Sequence, residues 1–235
     1  MNDALPLNEA LEGQDGPLLV FFPRLTIRDV ARLVRQVEPK QRWRTLVKKL
    51  GHYLGNLGIA FTQLAAHPGW WRRPVIEDVH VALLVPKSGH WPPGQGWLLV
   101  ESTYPAGVEI KDPAPKLAGF HGVATVVPLT WPSEALALDR LLAWVHEVEG
   151  LAYDSEGAIA SPLDLNLDAE GEFCSGVGVN ALQVLEHLPE YVLRQVHRTG
   201  QLRKVRLRPG DFMPVELAML HGVLDWSRAV NVRAG

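Results

Sequence analysis

"VHVALLVPKSGHWPPGQGWLLVEST", residues 79–103, reads as two extended segments joined by a connection rich in Gly and Pro. "VHVALLV" (79–85) and "WLLVEST" (97–103) are short and apolar, and the turn residues between them mark strand ends. The short "YPAG" that follows leads into a third piece, "VEI", and short turn-type connections favour antiparallel neighbours. "HGVATVVPL" (121–129) supplies a fourth strand, and "LLVFF" (18–22) is a strand or buried segment far ahead of the others.

Two polar side chains interrupt this apolar pattern. His80 lies inside the first strand, where an imidazole on a sheet face needs a partner. Glu101 lies inside the next, where a carboxylate costs free energy unless it is paired. Adjacent antiparallel strands can set the two side by side on one face. The remaining histidines fall in loops, helical patterns or polar surroundings, so His80 is the candidate for chemistry.

Helical patterns surround the strands. Thr26 is a good N-cap for "TIRDVARLVRQV" (26–37), which has helical apolar spacing. A second helix is expected over 41–66, where Leu46, Leu50, Leu54, Leu57, Phe61 and Leu64 recur at three and four residues, with Arg42, Arg44, Lys48 and Lys49 near its start. A basic amphipathic helix can lie on a membrane or a partner. The arrangement expected here is the commoner one, with the stripe packed on the protein's own core and the basic end solvated. "HPGWWRRP" (67–74) then breaks the helix. Ser133 caps a helix over 134–149 that Gly150 ends. A loop, 151–173, leads to a helix over about 174–187, and the tail from Gln201 adds a basic strand-like piece, a Pro-Gly turn and a last short helix. Helices, a meander of strands, then helices make an α+β fold. The expected division is an N-terminal helical extension, 1–74, packed on a core of 75–235.

Composition narrows the function. With 47% hydrophobic and 21% charged residues the chain is an ordinary globular protein, and 235 residues suffice for a sizeable core. The net charge of −3 points to no nucleic-acid partner. One cysteine excludes an internal disulfide and any Cys-rich zinc pattern, and neither metal nor cofactor is expected. No secretory signal and no membrane span is visible, so synthesis in the cytoplasm is expected, with delivery elsewhere by a signal-independent route left open.

That cysteine, Cys174, stands in "EGEFCSGVGVNAL" (170–182), at the start of the expected helix. A helix N-terminus lowers a thiol pKa through its unsatisfied N–H groups and its dipole. A lone cysteine is more often a buried filler than a nucleophile. A nucleophile needs a base, and the base an orienter. His80 and Glu101 fit those roles. Gly176 and Gly178 leave room for a substrate backbone or for close core packing.

These motifs together resemble the NlpC-type papain-like cysteine hydrolases. "EFCSGVGVNAL" is similar to the cysteine motif that opens their helix, "HVALLV" to their histidine strand, and "LLVEST" with "VEI" to the strand bearing the third polar residue. His80 precedes Cys174, an order that resembles the circularly permuted branch, which includes the lecithin–retinol-acyltransferase-like members. "GLAYD", with Tyr153 and Asp154, resembles the Tyr-Asp pair of that branch. The likeness covers roughly residues 75–190. It departs in the Ser-Gly-Val-Gly run, where the permuted branch often has Glu-Leu-Val, and this leaves the substrate class open.

The resemblance implies a permuted papain-like fold and covalent thiol catalysis, with Cys174 as nucleophile, His80 as base and Glu101 as orienter. Tyr153 and Ser175 are candidates for substrate or oxyanion contact. Trp70 and Trp71 are candidates for a cleft wall formed by residues 23–74; the competing arrangement docks that segment far from the chemistry. The leading substrate is an amide in a peptide or in peptidoglycan. The alternatives are an acyl lipid, hydrolysed or transferred, and a catalytically silent binding module. A phage component, an exported antibacterial effector with a cognate immunity or delivery protein, and a housekeeping enzyme all suit such a chain.

Overall fold

The computed structural model of the chain describes residues 4–24, 26–66, 78–87, 96–120, 122–130, 135–154, 174–185, 191–195, 202–206, 214–218 and 220–233. Its strands are β1 (Leu18–Pro23), β2 (Asp78–Pro86), β3 (Trp97–Thr103), β4 (Gly107–Lys111), β5 (Val123–Pro128), β6 (Tyr191–Gln195), β7 (Leu202–Arg206), β8 (Leu220–His221) and β9 (Val230–Arg233). Its α-helices are α1 (Leu7–Leu11), α2 (Ile27–Gln36), α3 (Arg42–Ala66), α4 (Pro113–Ala118), α5 (Ala135–Val148), α6 (Cys174–Val184) and α7 (Pro214–Ala218).

Six strands form one antiparallel sheet in the order β4-β3-β2-β1-β5-β9, and β7-β6-β8 form a smaller one. The large sheet is covered on both faces. On one, Leu19, Phe21, Val81, Leu83 and Val100 meet α5, α6 and α7. On the other, Leu18, Val20, Phe22, Leu84 and Leu99 meet Ala10 of α1 and Leu117 of α4. Strands buried on both faces carry unbroken apolar runs instead of alternation, which explains "LLVFF" and "VALLV".

The chain is thus α+β, as its element order indicates, with the cysteine helix packed on the sheet and helices near the N-terminus. The expected division at residue 74 falls outside the described residues. On its N-terminal side, β1 is hydrogen-bonded between β2 and β5, so that segment supplies a central strand as well as helices.

Local signals set the helix ends. The Thr26 hydroxyl accepts the Asp29 N–H at 3.3 Å, and the Asp29 carboxylate accepts the Thr26 N–H at 2.9 Å, a reciprocal cap that starts α2. Helix α6 is buried from Cys174 to Val179 and again at Ala181 and Leu182. A helix apolar on all sides belongs in an interior. A methyl group on Gly178 would stand 2.6 Å from the Leu217 side chain of α7 and 3.8 Å from that of Leu19. The space at Gly178 therefore serves packing within the protein.

One expectation is overturned. Most of the apolar stripe of α3 does not face the core: Leu50, Leu54, Leu57 and Phe61 are exposed, Phe61 by 69%, while Leu46 and Leu64 are half-buried. The helix instead turns Tyr53, Asn56 and Gln63 toward the protein. Gln63 is fully buried, and its amide donates to the Asp78 carbonyl at 2.9 Å. A specific polar anchor fixes this face, so the apolar periodicity misassigns the buried side.

Candidate active site

Strands β2 and β3 are paired only from Pro86–Trp97 to Leu83–Val100. Beyond that point β2 continues to Asp78 and β3 to Thr103, leaving a fork in the sheet. Cys174, the first residue of α6, meets this fork. The Val81 N–H, free of a β3 partner, donates to the Cys174 sulfur, and so does the Ser175 N–H. His80, one residue before Val81, hydrogen-bonds to the Cys174 side chain.

The register places His80 and Glu101 on the same face of the sheet, and His80 Nε2 lies 3.0 Å from Glu101 Oε2. With Nε2 engaged by the carboxylate, Nδ1 is the ring nitrogen left for the thiol. The imidazole is also fixed from the side. Phe22 sits opposite His80 on β1, with ring centroids 5.4 Å apart, and Phe120 packs edge-on against Phe22 at 5.0 Å.

Glu101 is fully buried, and its carboxylate is held by more than the histidine. Lys116 Nζ, from α4, stands 2.8 Å from Oε2 and 3.0 Å from Oε1. Lys111 Nζ, from β4, is 3.4 Å from Oε1 and 2.7 Å from Glu109 Oε2. Thr103 donates a further, long hydrogen bond to Glu109 at 3.4 Å. Three cationic or protonatable groups therefore surround one buried carboxylate, which is how a charge survives in such a place.

The electrostatics follow from these contacts. Burial pushes the Cys174 thiol up, but the His80 hydrogen bond, the His80 charge and the two backbone N–H groups outweigh it and bring the pKa below its ordinary value. Burial pulls His80 down, but hydrogen bonds to Cys174 and Glu101 and their charges raise it to about 9. Burial pushes Glu101 up, yet His80 and Lys116 bring it down to about 2. Together these shifts favour the thiolate form of Cys174 and the charged form of His80.

Tyr153 joins the same neighbourhood. Its hydroxyl pKa is raised first by burial, then by the Cys174 and Asp154 charges. Backbone contact brings it there: the Val108 N–H donates to the Leu151 carbonyl at 2.8 Å, and the Gly150 N–H to the Val108 carbonyl at 2.9 Å. Gly107 is required for this approach, since its φ is +80° and a Cβ there would lie 2.0 Å from the Leu151 oxygen. Tyr153 also meets Tyr104 edge to face at 5.9 Å.

The structure therefore brings Cys174, His80, Glu101 and Tyr153 together. Ser175 is fully buried beside them and contributes its backbone N–H to the sulfur. Trp70 and Trp71 lie outside the described residues. Sequence reasoning missed Lys111, Lys116, Glu109 and Phe22. A signal for the charged three existed in the short β3–β4 turn: its register sets Glu109 directly opposite Glu101, and two facing carboxylates demand a cation. Among the described residues no cluster of three or more His, Cys, Asp or Glu side chains is placed to hold a metal ion.

Comparison with family models, with curated proteins and with solved structures gives no match to this chain.

Proposed function

We propose that the protein is a thiol hydrolase acting through a covalent acyl-enzyme on Cys174, built on a circularly permuted papain-like core of the NlpC type. The observation that carries this reading is the chain of contacts from Cys174 to His80 to Glu101 at the N-terminus of a buried helix. A nucleophile, a base and an orienter in sequence is the arrangement such chemistry needs. A purely structural buried cysteine has no use for an imidazole held in place by a charged carboxylate.

In this mechanism the Cys174 thiolate attacks an acyl carbon and forms a tetrahedral oxyanion. The Cys174 backbone N–H stabilises it, a contribution worth roughly 3–4 kcal/mol per donor. The His80 imidazolium gives its proton to the leaving group, and the C–N bond of an amide breaks. Neutral His80 then takes a proton from water, which attacks the thioester and frees the acid. Glu101 keeps the ring aligned and stabilises its charged form, while Tyr153, close enough to feel the Cys174 charge, serves as a substrate or oxyanion contact.

The leading substrate is an amide in a peptide or in peptidoglycan, on the strength of the "CSG" motif. Mass spectrometry of the protein incubated with peptidoglycan fragments, peptides and acyl lipids tests the proposal. Products formed by the wild type and absent with Cys174→Ala support it, and their class fixes the bond. Equal product profiles for both proteins, with no covalent adduct on Cys174, would favour a silent binding module.

A further inference from the structure

The helix α3 presents its more apolar side to solvent. Trp43, Val47, Leu50, Leu54, Leu57 and Phe61 are all exposed, and their spacing of four and three residues lines them along one face. From Trp43 to Phe61 the stripe covers eighteen of the helix's residue steps, about 27 Å at 1.5 Å per residue. Opposite it, Gln63 locks the polar face to the start of β2. The outward stripe is therefore a fixed feature of the surface.

Charge identifies what covers it. Residues 24–66 contain nine lysines and arginines against Asp29 and Glu38 alone, in a chain whose net charge is −3. Arg42, Arg44 and Lys48 lie exposed beside the stripe on α3, and Arg28, Arg32 and Arg35 lie exposed on α2, which packs against it. Helix α3 itself has no acidic residue. A second copy of the helix would bring basic ends without a complementary acid, whereas helical pairing ordinarily uses both signs along its flanks.

We propose that α3 is a docking surface for an anionic lipid bilayer, lying in the plane of the interface with its apolar stripe in the headgroup and acyl boundary. An apolar face carrying an aromatic anchor, flanked by arginine and lysine, is the pattern of an interfacial helix. Anionic headgroups complete it by attracting the basic flank. No described helix is long and apolar enough to cross a membrane, so the association is peripheral at this element. Gln63, on the side of α3 away from the stripe, ties the helix to Asp78, two residues from His80, so a docked bilayer lies across the helix from the strand that carries the histidine. This inference is independent of the chemistry assigned to Cys174.

Vesicle co-sedimentation tests it, using phosphatidylglycerol mixed with phosphatidylcholine in one set and phosphatidylcholine alone in the other. The full chain is expected to bind the anionic vesicles, to bind neutral ones far more weakly, and to lose affinity as salt rises. Lys48→Gln should weaken binding roughly fivefold, the effect of one basic residue near a charged surface. Leu54→Glu with Phe61→Glu should abolish it while circular dichroism and Tm stay unchanged, since both side chains are exposed. Three results would each overturn the proposal: no binding to anionic vesicles, equal binding to both sets, or unaltered binding by the double variant. Light scattering supplies a further arm: a dimer that the same two substitutions disrupt, without vesicle binding, would assign the stripe to a second copy.

Discussion

Glu101 and Glu109 face each other directly across the β3–β4 hairpin, and Lys111 joins their carboxylates at 3.4 and 2.7 Å. Like charges in that relation repel, so the lysines are part of what lets Glu101 stay ionised in a buried position. Lys116 completes the arrangement by straddling both oxygens of Glu101. The negative charge available to His80 is therefore shared with two ammonium groups.

Removing one of them should change the pH response in a defined direction. Lys116→Met deletes a cation near the imidazolium and leaves more of the Glu101 charge for His80. Both effects raise the His80 pKa, so the alkaline limb of kcat/KM should move above the wild-type value of about 9. Lys116→Arg should keep the limb in place. An alkaline limb that stays put or moves down in Lys116→Met would show that Lys116 does not act on His80 through Glu101.

Glu101 itself should be visible in the acid stability of the fold. Its pKa falls from an ordinary 4.5 to about 2 in the folded protein. The native state thus binds fewer protons than the unfolded one in this interval, and the contribution is present above about 4.5 and lost as pH falls toward 2. Urea unfolding at a series of pH values should show this loss in the wild type and its absence in Glu101→Gln. The same substitution should lower kcat by roughly 100-fold, the scale of a disturbed acid–base group, and by less than Cys174→Ala does. An unchanged kcat would take Glu101 out of the site.

Helix α6 is held close to its neighbours by a missing side chain. Gly178→Ala should destabilise the protein by about 1–3 kcal/mol, because the new methyl meets Leu217 in a filled interior. Leu217→Ala opens that space, so the double variant should lose less stability than the sum of the two single ones. Chemical denaturation of the four proteins measures the coupling. Strict additivity would mean that Gly178 and Leu217 do not press on each other.

How much of this the sequence carries depends on the range of the interaction. Strands β1 to β5 and helices α2, α3 and α5 follow from local apolar periodicity and caps, and the His80–Glu101 proximity follows from strand parity alone. The place of β1 in the middle of the sheet rests on pairing with β2 and β5, partners more than fifty residues away, which no local pattern announces. The outward turn of the α3 stripe is hidden for a related reason. Periodicity locates an apolar face but not its direction, and here one buried glutamine bonded to a distant carbonyl decides it. The lysines around Glu101 were legible only by carrying the hairpin register one step further, to the residue facing it.

The central claim is that Cys174 is a thiolate held against His80, and the sulfur can be questioned without knowing the substrate. Since Cys174 is the sole cysteine, the rate of iodoacetamide alkylation followed by intact mass reports on this one thiol. Measured across pH, the wild type is expected to reach half its maximal rate below the ordinary thiol value of 9.0. His80→Ala should raise that midpoint, because burial is then opposed only by the backbone N–H groups of Val81 and Ser175. A wild-type midpoint at or above 9.0 that His80→Ala leaves unmoved would contradict the thiolate–imidazolium pair and return Cys174 to the role of a buried apolar side chain.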